Sequence, residues 1–227
     1  MFRGLIAWEY VRSIARDVHG MDRLMMANGT PYNLCWLAPV LDVMGTETDW
    51  NPRGVWRPMP FDELLHRRSL CRGKPYCFLM NTEFERFPAE LTEKFMQRSL
   101  ACGMFPGFFS ADASTGHYFK RPELFERDRA LFRKYVPLCR RVAEAGWEPV
   151  TGARTETPGI RVERFGGRYL TVFNDSTEPA VVTLTLDRDP PGPAATDLVA
   201  GAAVPWTGRS GRLSLAPGTV ALLDLRP

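Results

Sequence analysis

The chain has 227 residues and a mass of 25.7 kDa, enough for one large domain or two ordinary ones, since domains run to roughly 100–150 residues. With 44% hydrophobic and 24% charged residues it has the composition of a globular protein and lacks the low hydrophobicity of a disordered one. The formal net charge of +3 is spread without a basic block, which excludes a dedicated nucleic-acid binder, and no apolar run approaches the roughly 18 residues of a membrane span. The opening MFRGLIAWEYVRS meets Glu9 and Arg12 too early for the apolar region of a signal peptide. Compartment stays open, because loss of the natural beginning is one of the readings reached below. Cys35, Cys71, Cys77, Cys102 and Cys139 form no C-x-x-C pair and have no His at ligand spacing, so reduced, buried thiols are expected, with no metal and no cofactor.

In chain order, Ala7, Val11, Ile14 and Val18 make one apolar stripe that stops at Gly20, predicting an amphipathic helix over 1–20. Two short apolar runs, RLMMANG at 23–29 and APVLDVMG at 38–45, read as buried strands. A helix over 60–73 starts near Pro60 and ends before Gly73, and KPYCFLMN at 74–81 is a third strand. Pro88 opens a helix to Ala101, and GMFPGFFSAD at 103–112 is the fourth strand. The segment Pro122 to Ala145 is helical, with a bend or break expected at Pro137. Apolar strands alternating with amphipathic helices predict a parallel sheet covered by helices over residues 1–147. Beyond Trp147 the period changes to alternation at 160–165, 168–174 and 180–187, with Gly166 and Gly167 as a two-residue turn and Val182, Leu184 and Leu186 on one face. Further strands near Leu198, Val204, Leu213–Leu215 and Val220–Leu225 make residues 155–227 an antiparallel β-sandwich of about seven strands.

Each α/β strand leads into polar residues: Asn28 after the first, Asp42 and Glu47 with the second, Asn81 and Glu83 after the third, Ser110 and Asp112 after the fourth. The carboxyl ends of parallel strands share one face, where ligands bind and catalysis occurs, so Asp42, Glu47, Glu83 and Asp112 are expected to converge on one cleft. Aromatic residues fall in the same loops: Tyr32, Trp36, Trp50, Trp56, Phe109 and Tyr118. Flat apolar rings with polar edges suit a sugar, and paired carboxylates suit glycosidic bond cleavage, in which one acid protonates the leaving oxygen and a second carboxylate attacks or activates water. Each residue also has a plain structural reading: Asp42 bonding loop amides, Glu47 capping a turn, Glu83 ion-paired near Arg86, Asp112 capping a turn, and the tryptophans packed in the core.

The passages LMMANG, LDVMGTETDW, KPYCFLMNTEF and GMFPGFFSAD, followed by YLTVFNDSTEPAVVTLTLD and LAPGTVALLDL, resemble a glycoside-hydrolase-like protein. The likeness is to the C-terminal half of a (β/α)8-barrel glycosidase with its appended β-sandwich. It covers nearly the whole chain and is most specific in N-G…D-x-x-G-x-E, residues 28 to 47, and in the final P-G-x-V-x-L-L. What the resemblance implies is a carbohydrate-active hydrolase with Asp42 and Glu47 as catalytic residues and Asn28, Trp50, Trp56, Asn81, Glu83 and Asp112 as substrate-binding ones. It also implies a partial TIM-type barrel, since four strands are countable where such families use eight. The chain is then an N-terminally truncated fragment, or a remnant that needs a partner half or self-associates through its open edges. The alternative is a non-catalytic carbohydrate-binding or structural protein.

Overall fold

In a computed structural model, residues 2–29, 33–71, 73–110 and 118–226 are described. The order begins with helix α1 (Phe2–Gly20), strand β1 (Met26–Asn28), a 3-10 turn (Cys35–Val40) and β2 (Val43–Thr48). It continues with α2 (Phe61–Leu70), β3 (Tyr76–Thr82), α3 (Ala89–Ala101), β4 (Phe105–Ser110) and α4 (Pro122–Ala145). The four strands form one parallel sheet in the order β1-β2-β3-β4.

Two expectations shift. The apolar run at 38–45 is only in part a strand: Pro39 has no N–H for a ladder, the chain winds through a 3-10 turn to Val40, and pairing with β3 begins at Met44↔Tyr76. α4 runs unbroken through Pro137, because the residues around the proline that face inward, Tyr135, Leu138, Cys139 and Val142, are buried and hold the helix in place by packing. Gly146, at φ 81, then ends it in a conformation that side-chain-bearing residues disfavour.

The sheet has two unlike faces. Tyr76, Phe78, Met80 and Thr82 of β3 point to the helices and are buried, with Phe78 packed 4.7 Å from Trp50 and 5.9 Å from Phe95 between ring centroids. Cys77, Leu79 and Asn81 point the other way and are half-buried. The register extends this second face through Met26 and Asn28 of β1, Val43, Gly45 and Glu47 of β2, and Phe105, Gly107 and Phe109 of β4. No helix among the described residues covers it.

The remaining strands are β5 (Trp147–Glu148), β6 (Ala153–Arg154), β7 (Ile160–Phe165), β8 (Tyr169–Asn174), β9 (Ala180–Leu186), β10 (Ala194–Asp197), β11 (Ala202–Thr207), β12 (Ser210–Leu215) and β13 (Val220–Asp224). They form a nine-stranded antiparallel sheet, β5-β7-β8-β13-β10-β11-β12-β9-β6, in place of the seven strands expected. It curls until β8 and β13 share a core with β9: Leu170, Val172, Ala221 and Leu223 join Val182, Leu184 and Leu186, the face read from the alternation. The β7–β8 turn holds three residues, Gly166 to Arg168, because Phe165 pairs with Tyr169.

All six residues of β8 are buried, since its other face packs on the α/β part. Tyr169, Phe173, Val220 and Leu222 belong to the same apolar cluster as Phe61, Phe95 and Leu100. Thr171 Oγ1 donates to the Ala101 carbonyl at 2.8 Å, and the Val220 N–H donates to Gln97 Oε1 at 2.9 Å. Arg98 is buried beside the stacked pair Phe61 and Phe173, donating to Asp175 at 2.6 Å and to the Met59 carbonyl at 2.8 Å. Nearby, the indole N–H of Trp147 donates to Glu163 Oε2 at 2.7 Å, yet burial pushes the Glu163 carboxyl up to about 7.

Candidate active site

The carboxyl end of the parallel sheet carries the polar groups. Asn28 is the last residue of β1 and Glu47 the penultimate residue of β2; both are exposed, and Asn28 Nδ2 donates to Glu47 Oε2 at 3.4 Å. This contact depends on Gly45, which pairs with Asn28. A Cβ there would lie 2.5 Å from Asn28 Oδ1 and 2.6 Å from the Met26 methyl, so the glycine leaves room for the neighbouring strand's side chains to lean across. Behind Glu47, the buried guanidinium of Arg67 on α2 donates to Thr46 Oγ1 at 2.7 Å and to Glu63 at 2.6 Å. Asn28, Gly29, Thr46, Glu47, Thr48 and Arg67 line a depression of about 370 Å³. A carboxylate with one oxygen engaged by an amide and the other without a partner among the described residues is equipped to accept or donate a proton or to attack an electrophilic carbon.

Asn81 of β3 shares this face, opposite Phe109. Its Oδ1 is buried with no hydrogen-bond partner among the described residues, an acceptor whose isolation costs roughly 1–3 kcal/mol. Glu83 follows β3 but is exposed and pairs with Arg86 at 3.2 Å, as its plain reading had it. Asp112 and Tyr32 lie outside the described residues.

Asp42 is a correction. It precedes β2 and so stands at the amino end of the sheet, about five residues or roughly 16 Å of strand from Glu47. Its Oδ2 accepts the Met25 N–H at 2.8 Å and faces His19 Nε2 at 2.7 Å; the Met25 bond first, then His19, holds the carboxyl below the usual range. The error follows from reading the strand over 38–45, which placed its start five residues too early and so put Asp42 inside it.

The tryptophans are a second correction. Trp50 is 2% exposed and packs on Phe78, Phe95 and Trp56 beneath the helix-facing side of the sheet, so neither it nor the half-buried Trp56 walls the cleft. The polar neighbours that suggested exposure turn elsewhere: the side chain of Asn51, itself buried, donates to the Arg86 carbonyl at 2.8 Å. Tyr118 is likewise core, donating to buried Asp128 at 2.8 Å, and Trp36 leans on Trp8. Sequence reasoning missed Arg67. A helix reading of His66-Arg67-Arg68 gives no sign that both arginines turn inward, Arg67 to Thr46 and Arg68 to the Gly103, Cys71 and Lys74 carbonyls.

Among the described residues no group of three or more His, Cys, Asp or Glu is placed to hold a metal, and no helix is long and apolar enough to cross a membrane. The described cysteines are unpaired, with Cys71, Cys102 and Cys139 buried, Cys77 half-buried and Cys35 exposed.

No family model matches the sequence, and no curated protein is similar to it. Solved structures are similar in fold. The α-galactosidase I of Mortierella vinacea superposes with a TM-score of 0.55 at 9% identity over 97% of this chain and 63% of its own. An α-amylase from Geobacillus thermoleovorans, complexed with acarbose, gives 0.54 at 12% over 97% and 57%; a GH30 endoxylanase from Clostridium papyrosolvens gives 0.50 at 10% over 97% and 60%. The chain thus spans about three-fifths of the length of these structures. Its four-stranded parallel sheet and nine-stranded antiparallel sheet together make a fold like that of glycoside hydrolases.

Proposed function

We propose that residues 1–147 are half of a (β/α)8 barrel, its fifth to eighth strands, that residues 155–227 are the β-sandwich that follows it, and that the protein is a carbohydrate-active hydrolase working through Glu47. The observation that carries this reading is the meeting of Asn28 and Glu47 at the carboxyl ends of adjacent parallel strands, the face where barrel enzymes do their chemistry. The glycoside hydrolases that share the fold, each longer than this chain, support it.

In this reading Glu47 is the acid, base or nucleophile of glycosidic cleavage, and Asn28 both orients it and offers a hydrogen bond to a sugar hydroxyl. The carbonyl oxygen of Asn81 accepts from a second hydroxyl. The reaction needs a second carboxylate. Asp42 does not fill that place, because its position at the amino end and its bonds to Met25 and His19 suit a structural clamp that ties the α1–β1 connection to β2. Asp112, next after β4, and the other half of the ring are the remaining sources.

Chemical-shift mapping of the full chain against maltotriose, galactose and xylotriose tests this. Perturbations centred on Asn28, Glu47 and Asn81, and lost in Glu47→Ala, are the expected result. Perturbations confined to the nine-stranded sheet favour a non-catalytic carbohydrate-binding module; none with any sugar overturns the reading.

A further inference from the structure

The end of α4, the β7–β8 turn and the stretch after β13 meet around another depression of about 370 Å³, none of whose residues lines the one at Glu47. Arg141 and Glu144 come from the helix, Gly167 and Arg168 from the turn, and Arg226 from the stretch after β13. The turn sits close against the helix. The Gly166 N–H donates to the Gly146 carbonyl at 2.7 Å, and a Cβ at Gly166 would lie 2.9 Å from the Ala145 carbonyl oxygen, so this approach requires glycine. Gly167 beside it faces open space, with nothing within 4 Å of where a Cβ would stand.

The charges around this depression do not balance. Arg168 lies over the Tyr169 ring at 4.9 Å and donates to both oxygens of Asp224, through Nε at 2.8 Å. The Arg226 N–H adds a further bond to Asp224 at 3.2 Å. Arg168 first, then the Arg226 N–H and the more distant Arg141, hold the Asp224 carboxyl below its usual range. Glu144 is engaged in turn by Arg140 at 2.6 Å, one turn back on α4. Arg141 and Arg226 are exposed, and their guanidiniums have no acidic partner among the described residues. Four guanidiniums thus face two carboxylates. The surplus of two positive charges is concentrated at one place in a chain whose whole formal charge is only +3. Complementing a helix C-terminus accounts for Arg140 and Arg141 on α4, but not for Arg226, which reaches the same depression from another element.

We infer that this depression is an anion site for a phosphate or phosphomonoester group, held between the guanidiniums of Arg141 and Arg226 with the backbone of Gly167 beside it. A dianion balances the two surplus charges, and planar guanidiniums suit phosphate oxygens through paired, parallel hydrogen bonds. Glu144 in the lining and Asp224 beside it, with no basic block elsewhere in the sequence, fit a compact anion and repel an extended polyanion. The inference rests neither on Glu47 nor on the half-barrel reading, so the sugar-binding experiment can fail while this one succeeds, and the reverse.

The full chain is titrated with inorganic phosphate and with phenyl phosphate near neutral pH, at ionic strength held constant with sodium chloride, while amide chemical shifts are followed. Saturable shifts centred on Ala145, Gly166 and Gly167, with a Kd of about 1 mM, are the expected result. Tighter binding of phenyl phosphate identifies an ester-bearing ligand and equal binding free phosphate; either supports the site. Arg141→Gln and Arg226→Gln should each weaken binding about fivefold. Gly167→Glu, which places a carboxylate where the glycine leaves room, should abolish it. All three positions are exposed, so melting temperatures should stay within about 2 °C of the parent, showing that the fold is retained. Arg133→Gln, exposed on α4 outside the depression, should leave binding unchanged. Shifts that fail to saturate by about 20 mM ligand, or that persist in Gly167→Glu, overturn the inference. Equal weakening by Arg133→Gln also overturns it, because that is the mark of net charge alone.

Discussion

The parallel and antiparallel sheets treat their surfaces differently. Both faces of β8 are packed, one on the inner core of the curled sheet and one on the α/β part, so neighbouring residues such as Thr171 and Val172 are both buried. In β3 burial alternates, and the less buried residues carry the candidate site. Core formation therefore dominates one sheet, while the other keeps a face available for chemistry or for a partner. In the proposed reading, stability and function draw on different residues of the same strand.

The sharpest way to break this comparison is to truncate neighbours on β3. Phe78→Ala removes a ring packed against Trp50 and Phe95 and should cost about 3–5 kcal/mol, whereas Leu79→Ala on the other face should cost about 1 kcal/mol or less. Urea denaturation of the two variants checks this; equal losses would mean that the second face is as tightly packed as the first. Arg98→Ala tests the joint between the sheets. It strips Asp175 and the Met59 carbonyl of the Arg98 donor and removes the guanidinium packed beside the stacked Phe61 and Phe173, for an expected loss of about 2–3 kcal/mol.

Glu163 sharpens the comparison through pH. Its carboxyl is raised by burial to about 7, so the folded chain binds this proton more tightly than the unfolded one. Stability from this group is full below the unfolded carboxylate range, falls as pH rises toward about 7 and levels off above it. Glu163→Gln should remove that slope and raise stability at pH 8 by about 1–2 kcal/mol relative to the parent, measured by thermal melting at several pH values. Asp42→Asn should have the smallest effect. The depressed carboxyl contributes above the unfolded range and loses that contribution as pH falls, but its partner His19 is exposed, so the loss at neutral pH should stay under about 1 kcal/mol.

Helices and antiparallel strands were legible because their signals are local. Gly20, Gly73 and Gly146 mark helix ends, and the alternation of Val182, Leu184 and Leu186 marks an inward face. β2 was misread because hydrophobicity alone located it, and the carboxyl half of a strand that feeds a polar site is itself polar, as Thr46, Glu47 and Thr48 are. The strands β5 and β6 escaped notice because two residues give no period. The roles of Trp50, Arg67 and Arg98 depend on partners far away in sequence, and spacing carries no information about them.

Gly45 has a consequence for how such a site would decay. A single methyl group there displaces Asn28 from its reach toward Glu47, while the buried residues on the opposite face of β2, Met44 and Thr46, are untouched. Two of the three close contacts are flexible side-chain ends and the third, the Ala27 carbonyl, lies at 3.2 Å, so the Asn28–Glu47 contact would register the change more sharply than folding would. In a collection of natural variants, position 45 would therefore distinguish copies kept for their chemistry from copies kept only as scaffold.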